Sequence, residues 1–173
     1  LETALDRLIL NDLAPLRREM SDVMIEGFGR EHSTYYEILA AIAKGKRTQK
    51  EIADVVRLPA TSLPPYFRDL IDLLGIIEHR IPVTGRRGHS KMGRYVFADN
   101  FLRFYAHYIY KNMSLYESGH FDLLKARILR EWKGFSGRAF EEMARDLLAR
   151  DLGEGYEEIG SWWNRRGDEI DLL

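Results

Sequence analysis

Apolar residues recur at helical spacing through the first 28 positions, as Leu5, Leu8, Ile9, Leu13, Leu16, Met20, Val23 and Met24. A period near 3.6 predicts helix there, with a break near Pro15, whose ring removes a backbone donor. Gly27-Phe28-Gly29 punctuates the end. Thr34 and Glu37 stand three apart and predict a capping box that opens a second helical stretch at Tyr35. Its apolar stripe is Tyr36, Leu39, Ala40, Ile42 and Ala43, and Gly45 closes it. Thr48 and Glu51 repeat the box before a short helix with Ile52, Val55 and Val56 on one face. Ser62 is the expected N-cap of a third helix. That places Pro64 and Pro65 in its first turn, where a missing N–H is harmless. Phe67, Leu70, Ile71 and Leu74 form its inner stripe, and Gly75 ends it.

The period then changes from 3.6 to 2. Ile77, His79, Ile81 and Val83 alternate with Glu78, Arg80 and Pro82, which predicts a strand. A turn-rich run from Gly85 to Arg94 separates it from a second strand, Tyr95–Ala98. Three helices followed by a hairpin with a long basic tip is the plan of a winged helix-turn-helix. Asp99 is the expected cap of a further helix carrying Phe101, Leu102, Phe104, Tyr105, Tyr108 and Ile109. A helix over 121–132 follows, then a separate one capped by Ser136 and buried through Phe140, Met143, Ala144, Leu147 and Leu148. Tyr156, Ile159, Trp162 and Trp163 predict a strand, Asn164 to Asp168 a polar turn, and Glu169 onward a second strand.

The expected architecture is therefore mainly α with a small β-hairpin. Residues 1–28 form a helical segment, 29–98 a winged helix, and 99–173 a helical region with the start of an α/β sheet. A first residue other than Met, and a strand beginning at the last positions, lead us to expect a fragment of a longer chain.

Charge sharpens this picture. The net charge of the 173 residues is −1, yet residues 29–98 hold 12 Lys and Arg against 7 Asp and Glu. A basic middle between acidic flanks points to a polyanionic partner for the middle alone. In the hairpin tip Arg86, Arg87, Lys91 and Arg94 lie close together with His89 and no acid. Phosphate contact, to double-stranded DNA by expectation, is the functional reading, and a solvated loop the bland one. The third helix offers Thr61, Ser62, Tyr66 and Arg68 to base edges, but Asp69 and Asp72 beside Arg68 make it a poor phosphate binder.

Zero cysteines exclude disulfides, thiolate metal sites and thiol nucleophiles. No run of apolar residues is long enough to span a bilayer, and no secretory leader is visible, so a cytoplasmic, membrane-free setting is expected. Ala43-Lys-Gly-Lys-Arg-Thr48 fails as a phosphate loop, because Ala40 and Arg47 stand where glycine and a hydroxyl residue are needed. No cofactor and no complete metal site are expected in this segment. One acidic pair merits attention. Glu141 on a helix and Asp171 on a strand are oxygen donors of the kind that hold Mg²⁺, although acidic neighbours such as Glu142 and Glu169 make a solvated surface the bland alternative.

Six stretches carry a family resemblance: Tyr35–Ala43, Thr48–Ala53, Arg94–Tyr105, Gly137–Glu141, Ile159–Trp163 and Glu169–Asp171. In order and spacing they resemble the C-terminal half of archaeal AAA-type ATPases that end in a domain of unknown function, similar to PD-(D/E)XK nuclease folds. The resemblance implies an ATPase domain upstream as partner, with ATP and Mg²⁺ used only by the longer parent. It implies Glu141 as the helix acid and Asp171 as the strand acid of a catalytic site whose Glu-x-Lys lies beyond Leu173. It leaves oligomeric assembly open. A purely structural role, in which the winged helix docks the ATPase domain, is the third expectation.

Overall fold

A computed structural model describes residues 1–28, 33–83, 92–151, 160–164 and 166–171, the side chains of Met20, Met24, Phe28, Asp146 and Ala149 excepted. The described chain is mainly helical with two small antiparallel pairs of strands. Helix α1 spans Glu2–Leu8 and α2 spans Glu19–Phe28, with Pro15 in the irregular stretch between them. Next come α3 (Ser33–Ala43) and α4 (Gln49–Val56). Helix α5 (Pro64–Arg68) runs on as a π-helical turn, Asp69–Leu73. Strands β1 (Ile77–Arg80) and β2 (Arg94–Phe97) pair antiparallel, Ile77 opposite Phe97 and Arg80 opposite Arg94. Helix α6 (Asn100–Phe104) also continues as a π-helical turn, Tyr105–Ile109, and α7 covers Met113–Glu117. Helix α8 (Phe121–Asp151) is 31 residues long. Strands β3 (Trp162–Trp163) and β4 (Glu169–Ile170) close the described chain.

Local chemistry explains much of this. Thr48 and Glu51 form the full reciprocal box, with the Thr48 hydroxyl accepting from the Glu51 N–H and Glu51 accepting from the Thr48 N–H. Asp99 caps α6 by accepting from the Leu102 N–H at 2.8 Å. Gly75 ends the third helical stretch at φ +61°, a conformation that a Cβ would strain. One apolar core collects Leu5 and Ile9 from α1 and its end, Ile38 and Leu39 from α3, and Ile52 from α4. Leu70, Tyr105, Tyr108, Leu124 and Ile128 complete its centre.

Several expectations are corrected. Helix α3 begins by Ser33, so Thr34 lies inside it and not at its cap. Ser62 does not cap α5. Residues Ala60–Ser62 form a 3₁₀ turn in which the Ser62 N–H bonds Pro59 O, and buried Leu63 takes the cap position without a side-chain hydrogen bond. The first strand stops at Arg80, because Pro82 has no N–H to extend a ladder, and the Val83 N–H bonds Ser161 O instead. The two helices expected over 121–132 and from Ser136 are one. The Ser136 hydroxyl donates back to Lys133 O within α8, satisfying itself without a break. As one continuous helix, α8 carries Phe140, Met143, Leu147 and Leu148 out past the core, so these are exposed, not buried. The strand expected from Tyr156 lies outside the described residues up to Ile159, and the described part is Trp162–Trp163.

Candidate functional site

Arg86, Arg87, His89 and Lys91 lie outside the described residues. Thr61, Ser62 and Arg68 are exposed on the outer side of the third helical stretch. Arg68 sits 3.9 Å from Asp69 Oδ1, a weak and solvated ion pair. Tyr66 is half-buried and packs edge-on against Tyr35, whose hydroxyl donates to Asp69 Oδ2 at 2.8 Å. Burial and that bonded carboxylate push the Tyr35 hydroxyl up to about 12, so it stays a donor at neutral pH.

Arg94 is where the sequence expectation and the fold diverge most. Its Nη1 donates to Glu169 Oε1 at 2.8 Å, and its guanidinium lies 4.4 Å from the Trp163 ring centroid. Glu169 also receives Arg47 Nη1, at 3.0 and 3.3 Å from its two oxygens. Burial alone would raise the Glu169 carboxyl, but the bonds and charges of Arg94 and Arg47 outweigh it and hold the group below the usual carboxylate range. Trp163 is buried, and its Nε1 donates to Met92 O at 2.8 Å. The β3–β4 hairpin is thereby fastened to the base of the β1–β2 hairpin. Nothing local in the sequence signals this, since Arg47 and Glu169 are 122 positions apart.

Below that contact lies a cavity of about 170 Å³. Five arginines line it, Arg47, Arg80, Arg94, Arg138 and Arg145, with four carboxylates, Glu141, Glu142, Glu169 and Asp171. The two acids named from the sequence therefore meet in one place. Each part is held by its element. Arg138, Glu142 and Arg145 fall at i, i+4 and i+7 on one face of α8, with Glu141 at its edge. The Glu142 carboxylate accepts from Arg80 Nη1 at 3.2 Å and Asn100 Nδ2 at 2.9 Å, with Arg138 Nε at 3.6 Å. Arg145 Nη2 donates to Ser161 Oγ at 2.9 Å, and its Nε is buried with no hydrogen-bond partner among the described residues.

The arginine cluster is electrostatically tense. Burial, together with Arg47, Arg103 and Arg80, pushes the Arg138 guanidinium down to about 10, so it is still charged at neutral pH. Glu141 shifts the other way. Although Glu141 and Asp171 are both exposed residues, partial desolvation at the cavity wall raises the Glu141 carboxyl first, and the charge of Asp171 raises it further. Two carboxylates sensing each other is a donor set that Mg²⁺ accepts, since that ion is commonly held by one or two carboxylates plus waters. No group of three His, Asp or Glu side chains suited to a metal occurs among the described residues. No described helix is long and apolar enough to cross a membrane.

Sequence reasoning also missed Arg103. It is buried beneath Phe135, with Nη2 donating to Phe135 O at 2.5 Å and Nη1 to Asn100 Oδ1 at 3.0 Å. It anchors α6 to α8 behind the cavity. The symmetric Arg-x-x-Glu-Glu-x-x-Arg of residues 138–145 was the available signal for the cleft itself.

Residues 105–173 match DUF234, a family described as archaea bacterial proteins of unknown function. The chain is also similar to an uncharacterized protein of Methanocaldococcus jannaschii, 37% identical over 163 residues, which is 91% of this chain and 36% of that protein. The chain thus spans little more than a third of that relative. No solved structure matches it.

Proposed function

We propose that this segment binds double-stranded DNA through a winged-helix arrangement of α3, α4, α5 and the β1–β2 hairpin. One observation carries the reading: β1 pairs with β2 directly after the third helical stretch. Those strands bracket, in the chain, a stretch of residues 81–93 that holds Arg86, Arg87, His89 and Lys91 and no acid. The exposed Thr61, Ser62 and Arg68, with half-buried Tyr66, orient the duplex, and the wing supplies the cations. Each phosphate contact adds about 0.9 to the slope of log affinity against log salt. Because Arg94 is held by Glu169, three cations remain, for a contribution of about 2.7 to that slope. Replacing Arg86, Arg87 and Lys91 together with Ala is expected to flatten the slope by that amount in a duplex titration. An unchanged slope removes the wing from the reading.

The segment belongs, on this proposal, to a longer cytoplasmic AAA-type ATPase of archaeal type. An upstream ATPase domain is its partner, and ATP and Mg²⁺ serve that longer protein. The motif order supports this, as does similarity to a relative of which the chain covers 36%.

A second reading rests on Glu141 and Asp171 lining one cavity. In it the parent carries a PD-(D/E)XK-like nuclease domain, and these two carboxylates hold Mg²⁺. The ion supplies charge stabilisation at a phosphodiester and acidifies a water. Burial first and then the charge of Asp171 raise the Glu141 carboxyl, and a cation between the two carboxylates would relieve that repulsion as a proton does. The sign follows from linkage. A carboxyl raised in the fold binds its proton more tightly there, so Glu141 subtracts stability as pH rises through its titration. A carbon-13 titration is expected to show Mg²⁺ displacing the Glu141 proton. Asp171→Asn should lower the Glu141 pKa and abolish the Mg²⁺ response. A Glu141 titration indifferent to both changes excludes the pair.

A further inference from the structure

We propose that Arg47 and Arg94 form a seat for a nucleic-acid backbone phosphate, and that Glu169 fills this seat in the free chain as a built-in stand-in. The inference rests on the DNA-binding reading and extends it to a second contact point that competes with the chain's own C-terminal hairpin.

The geometry is that of anion recognition. Two guanidinium groups, from positions 47 apart in the chain, converge on one carboxylate at 2.8–3.3 Å. Charge-assisted forks of this kind accept carboxylate and phosphate oxygens alike. The two arginines come from the elements that the winged-helix reading presents to a duplex. Arg47 directly precedes the Thr48 cap of α4, and Arg94 opens β2 at the foot of the wing. The Tyr95 N–H donates to Arg47 O at 2.7 Å, which fixes the two backbones side by side before any ligand arrives.

The seat is reachable. Arg47 and Glu169 side chains are each 33% exposed. A groove of about 370 Å³ borders the seat from the solvent side and shares Arg47, Arg94 and Trp163 with the cleft beneath. Glu169 occupies a two-residue strand, so its side chain swings away without unpicking a long ladder. Trp163 supports the Arg94 guanidinium from one side, its ring centroid 4.4 Å from the Arg94 Cζ, while Arg94 Nη1 reaches an oxygen. A backbone phosphate carries the same single charge as the carboxylate that it displaces, but Glu169 is tethered beside the seat at high effective concentration, so the seat is closed in the wild type at physiological salt.

The test titrates a labelled random-sequence duplex with the 173-residue wild-type chain and with Glu169→Gln, across 50–200 mM salt. Opening the seat adds one phosphate contact. The slope steepens by about 0.9, so the affinity advantage of Glu169→Gln shrinks about 3.5-fold over that range. In the Glu169→Gln background, Arg47→Gln is expected to take back most of that added slope. Glu169→Ser is made alongside, so that misfolding of one variant leaves the other to decide. Tighter binding with an unchanged slope, or a slope indifferent to Arg47, overturns the seat and reduces Glu169 to a field effect. Equal binding by wild type and both variants overturns it and leaves a structural clip. Failure of every variant to bind the duplex overturns the DNA-binding reading itself.

Discussion

Glu142→Ala is expected to lower the unfolding free energy by about 2–4 kcal/mol, and to do so more than any other carboxylate replacement in the cleft. This carboxylate gathers Arg80 from β1, Asn100 at the start of α6 and Arg138 from its own helix. It is only 19% exposed, so water cannot readily replace it. Its removal leaves Arg138 buried among Arg47, Arg80 and Arg103 with no carboxylate within ion-pair distance among the described residues. Deleting one partner of a buried pair costs about 3–5 kcal/mol, and the partial exposure of these groups brings the figure down. Chemical denaturation with an unchanged slope in denaturant checks it. A loss below about 0.5 kcal/mol, the range of ordinary surface substitutions, would show that Arg138 finds another anion.

Trp163→Ala is expected to act locally instead. A buried Trp replaced by Ala commonly forfeits about 3–5 kcal/mol of packing. Here the ring holds a hairpin whose strands pair only Trp162 with Ile170 and Trp163 with Glu169. Such a hairpin has almost no stability of its own. The missing contacts, including those to Arg94 and Met92 O, are therefore charged to hairpin docking and not to the whole fold. Opening of the segment around Arg166 should rise about 100-fold, taking about 1.4 kcal/mol per factor of ten and the low end of the packing loss. Trypsin cleavage after Arg166 reads this out, while the thermal midpoint moves little. Unchanged cleavage would mean that the clip is held by the Glu169 ion pairs alone.

Legibility in the sequence tracked the range of the interaction. The Thr48–Glu51 box and the Asp99 cap were readable because donor and acceptor lie three residues apart. Pro15 and Gly75 were readable because their backbones leave few choices. The break expected near Ser136 failed for a related reason. Gly134, Ser136 and Gly137 disfavour a helix by only about 1 kcal/mol each at most. Trp132 just before the weak stretch and Phe135 within it, both packed against Phe104, outweigh that by anchoring the rod there. Glu141 and Asp171 were legible as residue types, and their meeting in one cavity depends on the strand pairing of residues far along the chain. The Arg47–Glu169–Arg94 bridge was invisible, since charged residues at such separations carry no mutual pattern. It also changes what Arg94 does: in the free chain it answers to a carboxylate.

The continuity of α8 ties the register of the cleft to packing. Its first turns place Leu124 and Ile128 in the core, and its later turns carry Arg138, Glu141, Glu142 and Arg145 into the cleft. Each residue turns the rod by about 100°. A single insertion or deletion between Phe135 and Arg138 would swing all four side chains away from Arg80, Ser161 and Asp171 at once, while leaving Leu124, Ile128, Trp132 and Phe135 on the core. Evolution of this chain is therefore freer to exchange letters at that short join than to change its count.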